Sequence, residues 1–364
     1  MSRRKLLARS RAAAFRHSDR GHIMQLLKSC LLLCLMALPA IAGVKVGKVD
    51  YLGWKDAIEI NNGEVKLIVV PAIGRIMHYG YLDGDNILWS DPQFHGKVLP
   101  KGMPNIDEEG NFAWTNFGGD KVWPNEQSEF EKINGHSWPP DHAFDGAVHE
   151  ARLLADGVVI TGPVSEYNGA RSVREIRMAA EGTRVDIVQH VEKVAAAANA
   201  DIEPLRYTIW NVTQIRPPEQ TFYPLNPHSH FDMRYFPFGF AESAAMRNFT
   251  IKGDIGIFVP DPVDAQKTGA DSDRWLAGIV GDVAMVEFFR RDATRRYPDG
   301  GLSAEVYTCA DYTELELLSP WVYLQVGEVL THPIAWELQR LSKDLDTPDA
   351  RRQAVVEWLA ARAD

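Results

Sequence analysis

Alternation between apolar and polar residues, repeated along most of the chain, is the feature that most restricts its fold. GEVKLIVVP at 63–71 is an early clear case, because its apolar residues fall two apart and so point to one face of a strand. Similar strand-like segments follow at 81–89, 174–194, 205–215, 275–289 and 320–341. DPVDAQKTGADSD at 261–273 lacks this alternation and is expected to be a mobile surface loop. The sequence therefore predicts an all-β protein, a large antiparallel β-sandwich.

The C-terminal segment alone has helical periodicity. In DTPDARRQAVVEWLAARA at 346–363, Thr347 is placed to cap a helix and Pro348 occupies the first helical position. Apolar residues then recur at helical spacing, which predicts a helix packed on the outside of the sandwich. We therefore expect a β-sandwich domain over 43–345 and a helix over 346–364.

The N-terminal 42 residues are expected to be a targeting segment, not part of the fold. MQLLKSCLLLCLMALPAIAG at 24–43 has one lysine, a short apolar run and the small-residue triplet AIA, the pattern of a secretory signal and its cleavage site. Residues 1–23, rich in Arg and Ser, are interpreted as the product of an upstream start codon. The apolar run is short for a bilayer span, so we expect export to the bacterial periplasm or beyond, without stable membrane insertion.

Charge and cysteine content exclude some classes of function. The net charge of −10 and the pI of about 5.6 provide no broad basic surface for phosphate backbones, so nucleic acid is not an expected partner. Removal of the leader leaves Cys309 as the single cysteine, which rules out an internal disulfide and a cysteine-rich zinc site.

Two segments are unusually rich in Trp, Gly, Pro and polar residues, at 111–130 and 134–146. Flat aromatic side chains can bind the apolar face of a sugar ring while carboxylates, amides and lysines bind its hydroxyls. Trp114, Trp123 and Trp138 are therefore candidates to line a carbohydrate groove. The alternative is that they fill the core under long loops.

A histidine motif allows three interpretations. In LNPHSHFDMRYF at 225–236, His228 and His230 lie two residues apart and are followed by Asp232. On a strand, residues two apart point to the same face, so they could be metal ligands of a cupin-like site for Zn, Fe or Mn. They could also be catalytic acids or ordinary polar residues. The further Gly and His signatures of cupin strands are absent, which disfavours a metal.

Several segments resemble the aldose 1-epimerase (galactose mutarotase) superfamily. NNGEVKLIVVPAIGRIMHYGYLDGDNILW is similar to its opening strands, GGDKVWP to its GG-P-LFP segment, and NPHSHFDM to its NHSYFNL signature, with Pro227 inserted and His230 in place of Tyr. GGDKVWP, WPP, YTIWNVTQI and ELELLSP together resemble a bacterial family of that superfamily known only as a domain of unknown function. The resemblance covers about 50–340 and implies a mutarotase-type β-sandwich with a carbohydrate-binding groove.

The resemblance also implies catalytic roles. In mutarotases the signature histidine donates a proton to the ring oxygen, and a glutamate on a late strand removes the anomeric proton. His228 falls on the acid, and in YTELELLSP Glu314 falls on the base, while a register shift of two would select Glu316 instead. His136 or His142 would be the second histidine that often assists. This acid–base chemistry needs neither a metal nor a nucleotide cofactor.

Two classes of function remain open, with carbohydrate as the expected partner in both. The first is an exported isomerase like aldose 1-epimerase, in which Arg75, Lys121 and His230 would help to bind the sugar; Arg75 and Lys121 could equally be structural ion-pair residues. The second is a carbohydrate-binding protein without catalysis. A polysaccharide lyase or hydrolase module is a less favoured third class, because a fold does not determine a chemistry. We expect His228 and the late glutamates to lie on strands of one sheet, and their convergence in one groove would favour the enzyme.

Overall fold

The computed structural model describes residues 43–99, 114–239 and 248–362. The residues from 43 onward form one compact unit. The predicted leader at 1–42 lies outside the described residues. No helix within them is long and apolar enough to cross a membrane.

The described residues form twenty-two strands and two α-helices. The strands are β1 (Lys45–Tyr51), β2 (Trp54–Asn61), β3 (Val65–Val70), β4 (Arg75–Tyr81), β5 (Asp120–Trp123), β6 (Glu150–Leu153), β7 (Gly157–Thr161), β8 (Ala170–Met178), β9 (Val185–Lys193), β10 (Arg206–Tyr207), β11 (Trp210–Ile215), β12 (Gln220–Pro224), β13 (Phe236–Pro237), β14 (Phe249–Lys252), β15 (Ile255–Phe258), β16 (Gln266–Ala270), β17 (Arg274–Val280), β18 (Val283–Phe289), β19 (Ala304–Thr308), β20 (Thr313–Leu318), β21 (Val322–Tyr323) and β22 (Val329–Arg340). The helices are α1 (Phe130–Asn134) and α2 (Pro348–Ala360).

These strands build two large antiparallel sheets of ten strands each. Sheet 1 has the order β1-β2-β3-β4-β5-β11-β20-β19-β16-β13, and sheet 2 has the order β14-β15-β12-β17-β18-β22-β9-β8-β7-β6. A small separate pair, β10-β21, lies outside both. Neighbouring strands in sheet 1 come from distant parts of the sequence: β11 pairs with β5 on one side and with β20 on the other.

The main core lies between the two sheets. Leu67 and Leu315 of sheet 1 belong to the same buried apolar cluster as Ile187, Met285 and Trp336 of sheet 2. Each strand contributes every second side chain to this layer, which is the expected arrangement for two packed sheets. The predicted all-β sandwich is confirmed.

The C-terminal helix covers the other face of sheet 2. Val355 and Leu359 of α2 pack against strand residues that include Phe222 and Ile279. Thr347 caps the helix as predicted, because its side chain accepts a hydrogen bond from the backbone N–H of Ala350 at 3.2 Å. With α2 on sheet 2, the polar side chains of the central strands of sheet 1 lie on the opposite side of the molecule.

Two local predictions differ from the structure. The segment 261–273, expected to be a loop, contains β16, which pairs with β19 and β13 inside sheet 1. The Trp- and Pro-rich segment also contains α1, a short helix that the sequence pattern did not indicate. Both segments obtain their structure from contacts with distant residues, which a local pattern does not contain.

Candidate functional site

One face of β20 brings the two late glutamates together. Leu315 and Leu317 point into the core between the sheets. Glu314 and Glu316 alternate with them and therefore point to the outer face of sheet 1. The glutamates are two positions apart on the strand, which amounts to roughly 7 Å along the sheet. Glu316 is 0% exposed and Glu314 8% exposed, so of the two only Glu314 reaches the surface of this face.

Lys121 of β5 and Glu314 form a buried ion pair on this face. The Lys121 Nζ lies 3.3 Å from Oε1 of Glu314, and Gln214 Nε2 donates to the same oxygen at 3.0 Å. Burial lowers the pKa of Lys121 and raises the pKa of Glu314, while the contact between the two charges opposes both shifts. A carboxylate with a raised pKa accepts a proton more readily than an exposed one, which suits Glu314 to act as a base.

Two tryptophans enclose the Lys121 ammonium group. Its Nζ lies 5.4 Å from the ring centroid of Trp114 and 5.3 Å from that of Trp123. Asp145 holds both rings by accepting hydrogen bonds from their indole N–H groups at 2.6 and 2.9 Å. Arg75 donates to the same carboxylate at 2.8 Å and is only 1% exposed. The structure thus brings together four of the predicted binding residues, with Arg75 buried behind the tryptophans.

A second buried cluster surrounds Lys267 of β16. Its Nζ lies 2.6 Å from Glu305 Oε2 and 2.9 Å from Glu316 Oε2. Glu316 Oε2 also accepts a hydrogen bond from the Trp210 indole at 2.6 Å. The Lys267 cation lies over the rings of Trp210, at 4.8 Å, and Phe238, at 5.1 Å. This cluster repeats, beside the first, the combination of a lysine, a glutamate and aromatic rings.

Three carboxyl groups share the single Lys267 cation. Asp299 interacts with Lys267, Glu316 and Glu305. Burial raises the pKa of Glu305 well above its ordinary range; Lys267 opposes this rise, and the carboxylates of Glu316 and Asp299 add to it. One cation cannot neutralise three carboxylates in a buried site, so burial favours the protonated form of Glu305 in this cluster. Glu305 can therefore act as a proton donor.

Partly exposed aromatic rings border the Glu314 side of the site. Tyr307 pairs directly with Glu314 across β19 and β20, so their side chains share the outer face. Tyr312 lies 6.1 Å from Tyr307 and 4.6 Å from Trp89, measured between ring centroids. Burial raises the pKa of Tyr307 to about 12, which keeps its hydroxyl protonated and able to donate a hydrogen bond.

The histidine motif lies in a loop between β12 and β13, so the prediction that His228 belongs to a strand is wrong. Asn226 accepts from the His228 backbone N–H at 2.9 Å and thereby turns the chain at Pro227. Asn226 and Ser229 donate to the Asp271 carboxylate at 2.8 and 2.7 Å, which anchors the loop beside the end of β16. His228 is exposed there, and no contact recorded among the described residues joins it to either late glutamate.

His230 approaches the site more closely than His228 does. Its Nε2 lies 2.9 Å from the carbonyl oxygen of Gly300, next to Asp299 of the Lys267 cluster. The strand register brings the end of β16 level with Leu317, so the loop lies nearer to Glu316 than to Glu314. Within the described ranges, no group of three or more His, Cys, Asp or Glu side chains is placed to hold a metal ion.

The predicted residues of the second Trp-rich segment separate into two places. Trp138 packs edge-to-face on Trp114 and Trp123, with centroid distances of 5.0 and 5.8 Å. His136 and His142 instead line a cavity of about 510 Å³ against β7 and β8. Burial lowers the pKa of His142, which favours its neutral form. The structure therefore does not bring these two histidines to the Lys121–Glu314 pair.

Sequence reasoning did not single out several residues of this face. Lys267 lies in the segment expected to be a loop. Glu305 is the second residue of the short strand β19 and Asp299 precedes that strand, and neither belongs to a sequence motif. Trp210 and Gln214 lie within YTIWNVTQI, which contributed to the family resemblance but not to the site. A useful signal was present, because charged residues recur two apart in TELELL and alternate with leucines that must be buried.

The fold and the site together define a large antiparallel β-sandwich that carries paired acids, lysines and aromatic rings on the outer face of one sheet. The chain belongs to the family described as "Domain of unknown function (DUF4380)", whose model matches residues 56–339. The predicted membership of such a family is confirmed. A comparison with curated proteins gives no match.

Similar solved structures include sugar-processing proteins. Galactose 1-epimerase from Lactobacillus acidophilus NCFM has 11% identity and a TM-score of 0.42, with 82% of this chain and 99% of that chain covered. A galactose mutarotase related enzyme from Lactobacillus acidophilus has 8% identity and a TM-score of 0.45, with 79% and 98% covered. A GH36 alpha-galactosidase from Geobacillus stearothermophilus has 9% identity and a TM-score of 0.45, with 82% and 41% covered. These values assign neither a substrate nor a catalytic residue to this chain.

Proposed function

We propose that this protein binds a saccharide on the outer face of sheet 1 and interconverts its anomers, as an isomerase of the aldose 1-epimerase type. The observation that carries the proposal is the pair of lysine–carboxyl clusters, around Lys121 and Lys267, set side by side on that face. Half-buried rings of Trp114 and Tyr307 lie next to them. Aromatic rings, charged donors and carboxylate acceptors together match the apolar faces and hydroxyl groups of a sugar.

The chemistry requires a base and an acid on either side of the anomeric carbon. Opening a pyranose removes the proton of the anomeric hydroxyl and delivers a proton to the ring oxygen, and closing the ring on the other face reverses both steps. Glu314 is the base in this proposal, because its pKa is raised and Lys121 stabilises its ionised form. The carboxyl cluster offers Glu305 as a proton donor, and His228 remains the donor that the family resemblance implies.

The test is the rate of anomer interconversion, followed by polarimetry or by saturation-transfer NMR on a panel of aldoses and uronates. Glu314→Gln should bind sugar but lower the rate by roughly 10²–10⁴-fold, the usual contribution of a general base. Glu337→Gln is the matched control. Glu337 is also buried and paired with arginines, Arg184 and Arg362, but it lies on β22 of sheet 2.

Comparison of single variants assigns the acid. A rate that falls in Glu305→Gln and not in His228→Asn identifies the carboxyl cluster as the donor, and the reverse result identifies the histidine. Because acid and base act in one step, a double variant should cost less than the product of the single effects. A wild-type protein whose Glu314→Gln form is equally active would refute the assignment of the base.

Sugar binding without catalysis is the second candidate function. The observation that favours it is the exposed position of His228 in its loop, away from the strand where an acid of the mutarotase type was expected. In that case the wild type would bind saccharides and interconvert none of them. Titration followed by tryptophan fluorescence, run with the same sugars as the rate assay, separates the two functions.

Export is a further part of the proposal, and it rests on the signal-like sequence at 24–43. The mature chain should begin at or near Gly43 and lie in the periplasm or outside the cell. N-terminal sequencing of protein isolated from its native host tests this directly. An intact 24–42 segment on a cytoplasmic product would contradict it.

A further inference from the structure

Next to the Lys267 cluster lies a cleft of about 410 Å³ lined by four arginines, Arg206, Arg291, Arg295 and Arg296, and by two carboxylic residues, Glu126 and Asp299. We call it the arginine cleft. The whole chain carries a net charge of −10, so four arginines around one opening are a strong local departure from its composition. Such a positive opening favours an anionic group.

Only some of the arginines in this cleft form salt bridges within the described part of the protein. Arg206 is neutralised, because it pairs with Glu126 at 2.8 Å and also with Glu129. By contrast, Arg295 and Arg296 are exposed and form no salt bridge with the residues that the structure describes. Available guanidinium groups therefore face solvent at this opening.

Arg291 is held in place while one of its nitrogens remains unused. Its guanidinium lies 5.1 Å from the ring centroid of Tyr297, and its Nε is buried without a hydrogen-bond partner among the described residues. The nearby acid, Asp292, is bound by Thr294, and this hydrogen bond together with Arg295 and Arg291 lowers the pKa of Asp292. Asp292 therefore remains ionised, and it offsets only part of the positive charge.

The cleft adjoins the Lys267 cluster through one residue, Asp299. Asp299 lines it and interacts with Glu305, Glu316 and Lys267. On the other side, the His230 ring is fixed by Gly300, and it packs so closely that a Cβ on Gly301 would lie 2.7 Å from its Cε1 atom. Gly301 has a φ of +121°, a conformation that favours glycine. The turn at Gly300 and Gly301 thus holds the His230 ring at the lining of the cleft.

We propose that the arginine cleft binds the carboxylate or sulfate ester of an acidic saccharide whose adjoining ring occupies the site over the Lys267 cluster. A guanidinium group donates two parallel hydrogen bonds to such planar or tetrahedral anions, which adds both affinity and orientation. The inference deepens the proposed function and rests on it: it names uronate-containing or sulfated saccharides as the substrate class, and distinguishes them from neutral sugars.

The experiment compares binding of three oligosaccharides of equal length by isothermal titration calorimetry: an oligogalacturonate, a sulfated galactan fragment and a neutral galactan fragment. The wild type should bind at least one acidic probe roughly tenfold or more tightly than the neutral one, the effect of one or two charge-assisted hydrogen bonds. Arg295→Gln combined with Arg296→Gln should remove this preference and leave neutral binding unchanged. Both residues are exposed, so the variant should fold normally.

The matched control removes two positive charges elsewhere. Lys45→Gln with Arg152→Gln changes the net charge equally, and both residues are exposed on the edge strands β1 and β6. This control should keep the preference, and the carboxylated and sulfated probes together show which anion the cleft prefers. Equal binding of acidic and neutral probes by the wild type, or an equal loss of both in the arginine variant, would overturn the inference and leave the proposed function intact. No binding of any saccharide would overturn both.

Discussion

Replacement of Lys267 by methionine tests the account of the carboxyl cluster, because this lysine is the cation that two fully buried glutamates share. Its Nζ lies 2.6 Å from Glu305 and 2.9 Å from Glu316, and both glutamates are 0% exposed. Breaking a buried ion pair from one side costs about 3–5 kcal/mol, since a buried charge is left uncompensated. The lost cation–π contact with Trp210 adds about 0.5–2 kcal/mol.

The loss of stability in Lys267→Met should become larger as the pH rises. Burial already raises the pKa of Glu305 in the folded protein, and Lys267 opposes this rise, so without Lys267 the pKa of Glu305 rises further above its value in the unfolded chain. A group with a raised folded pKa contributes stability below its unfolded pKa, near ~4.3, and loses that contribution as the pH increases through the folded pKa. The variant should therefore be close to wild type in acid and lose stability relative to it as the pH rises.

Urea unfolding followed by circular dichroism at pH 5 and pH 8 measures this difference. The loss in unfolding free energy should be about 4–6 kcal/mol at pH 8 and distinctly smaller at pH 5. Lys55→Met is the control, because Lys55 is paired with Asp50 but 75% exposed, and its loss should stay within about 1 kcal/mol. If the loss of unfolding free energy in Lys267→Met is small, or is equal at both pH values, the conclusion that Lys267 compensates the buried carboxyl groups is refuted.

Three further variants test neighbouring features. Glu305→Gln should change stability by less than about 1 kcal/mol at pH 7 in urea unfolding, because burial favours the neutral form of this carboxyl and glutamine resembles that form; a loss above about 3 kcal/mol would show that Glu305 is ionised. Asp145→Asn should cost about 3–5 kcal/mol by the same assay, because the buried Arg75 loses its carboxylate; an unchanged midpoint would contradict this role. His149 and His332 are buried with pKa values lowered to about 4, so stability should fall as the pH drops from about 6.5 to 4. His332→Leu should reduce that slope, and an unaltered slope would exclude His332 as a source.

The strands could be predicted because the alternation of apolar and polar residues that identifies a strand lies within the sequence of the strand itself. Alternation in TELELL assigns the leucines to the core, and that assignment alone turns Glu314 and Glu316 outward. The C-terminal helix was equally accessible, since its cap Thr347 and its first residue Pro348 stand next to each other in the sequence. Patterns of this kind do not depend on which strand lies beside which.

The partners of the glutamates were not predictable, because they depend on strand order. Lys267 lies in QKTGA, where polar residues are buried on both faces, and its buried charge is compensated by Glu305 of the neighbouring strand β19 and by Glu316 of β20. His228 was misplaced for a similar reason: the turn at Asn226 is fixed by Asp271, more than forty residues away. The motif predicted a strand, whereas this part of the chain forms a turn.

Location of a bound saccharide by crystallography tests the central claim most directly. Crystals soaked with oligogalacturonate should show a sugar ring on the outer face of sheet 1, in contact with Glu314 or with the Lys267 cluster and bordered by the rings of Trp114 and Tyr307. A saccharide bound instead in the cavity that His136 and His142 line, with the outer face of sheet 1 vacant, would contradict the account.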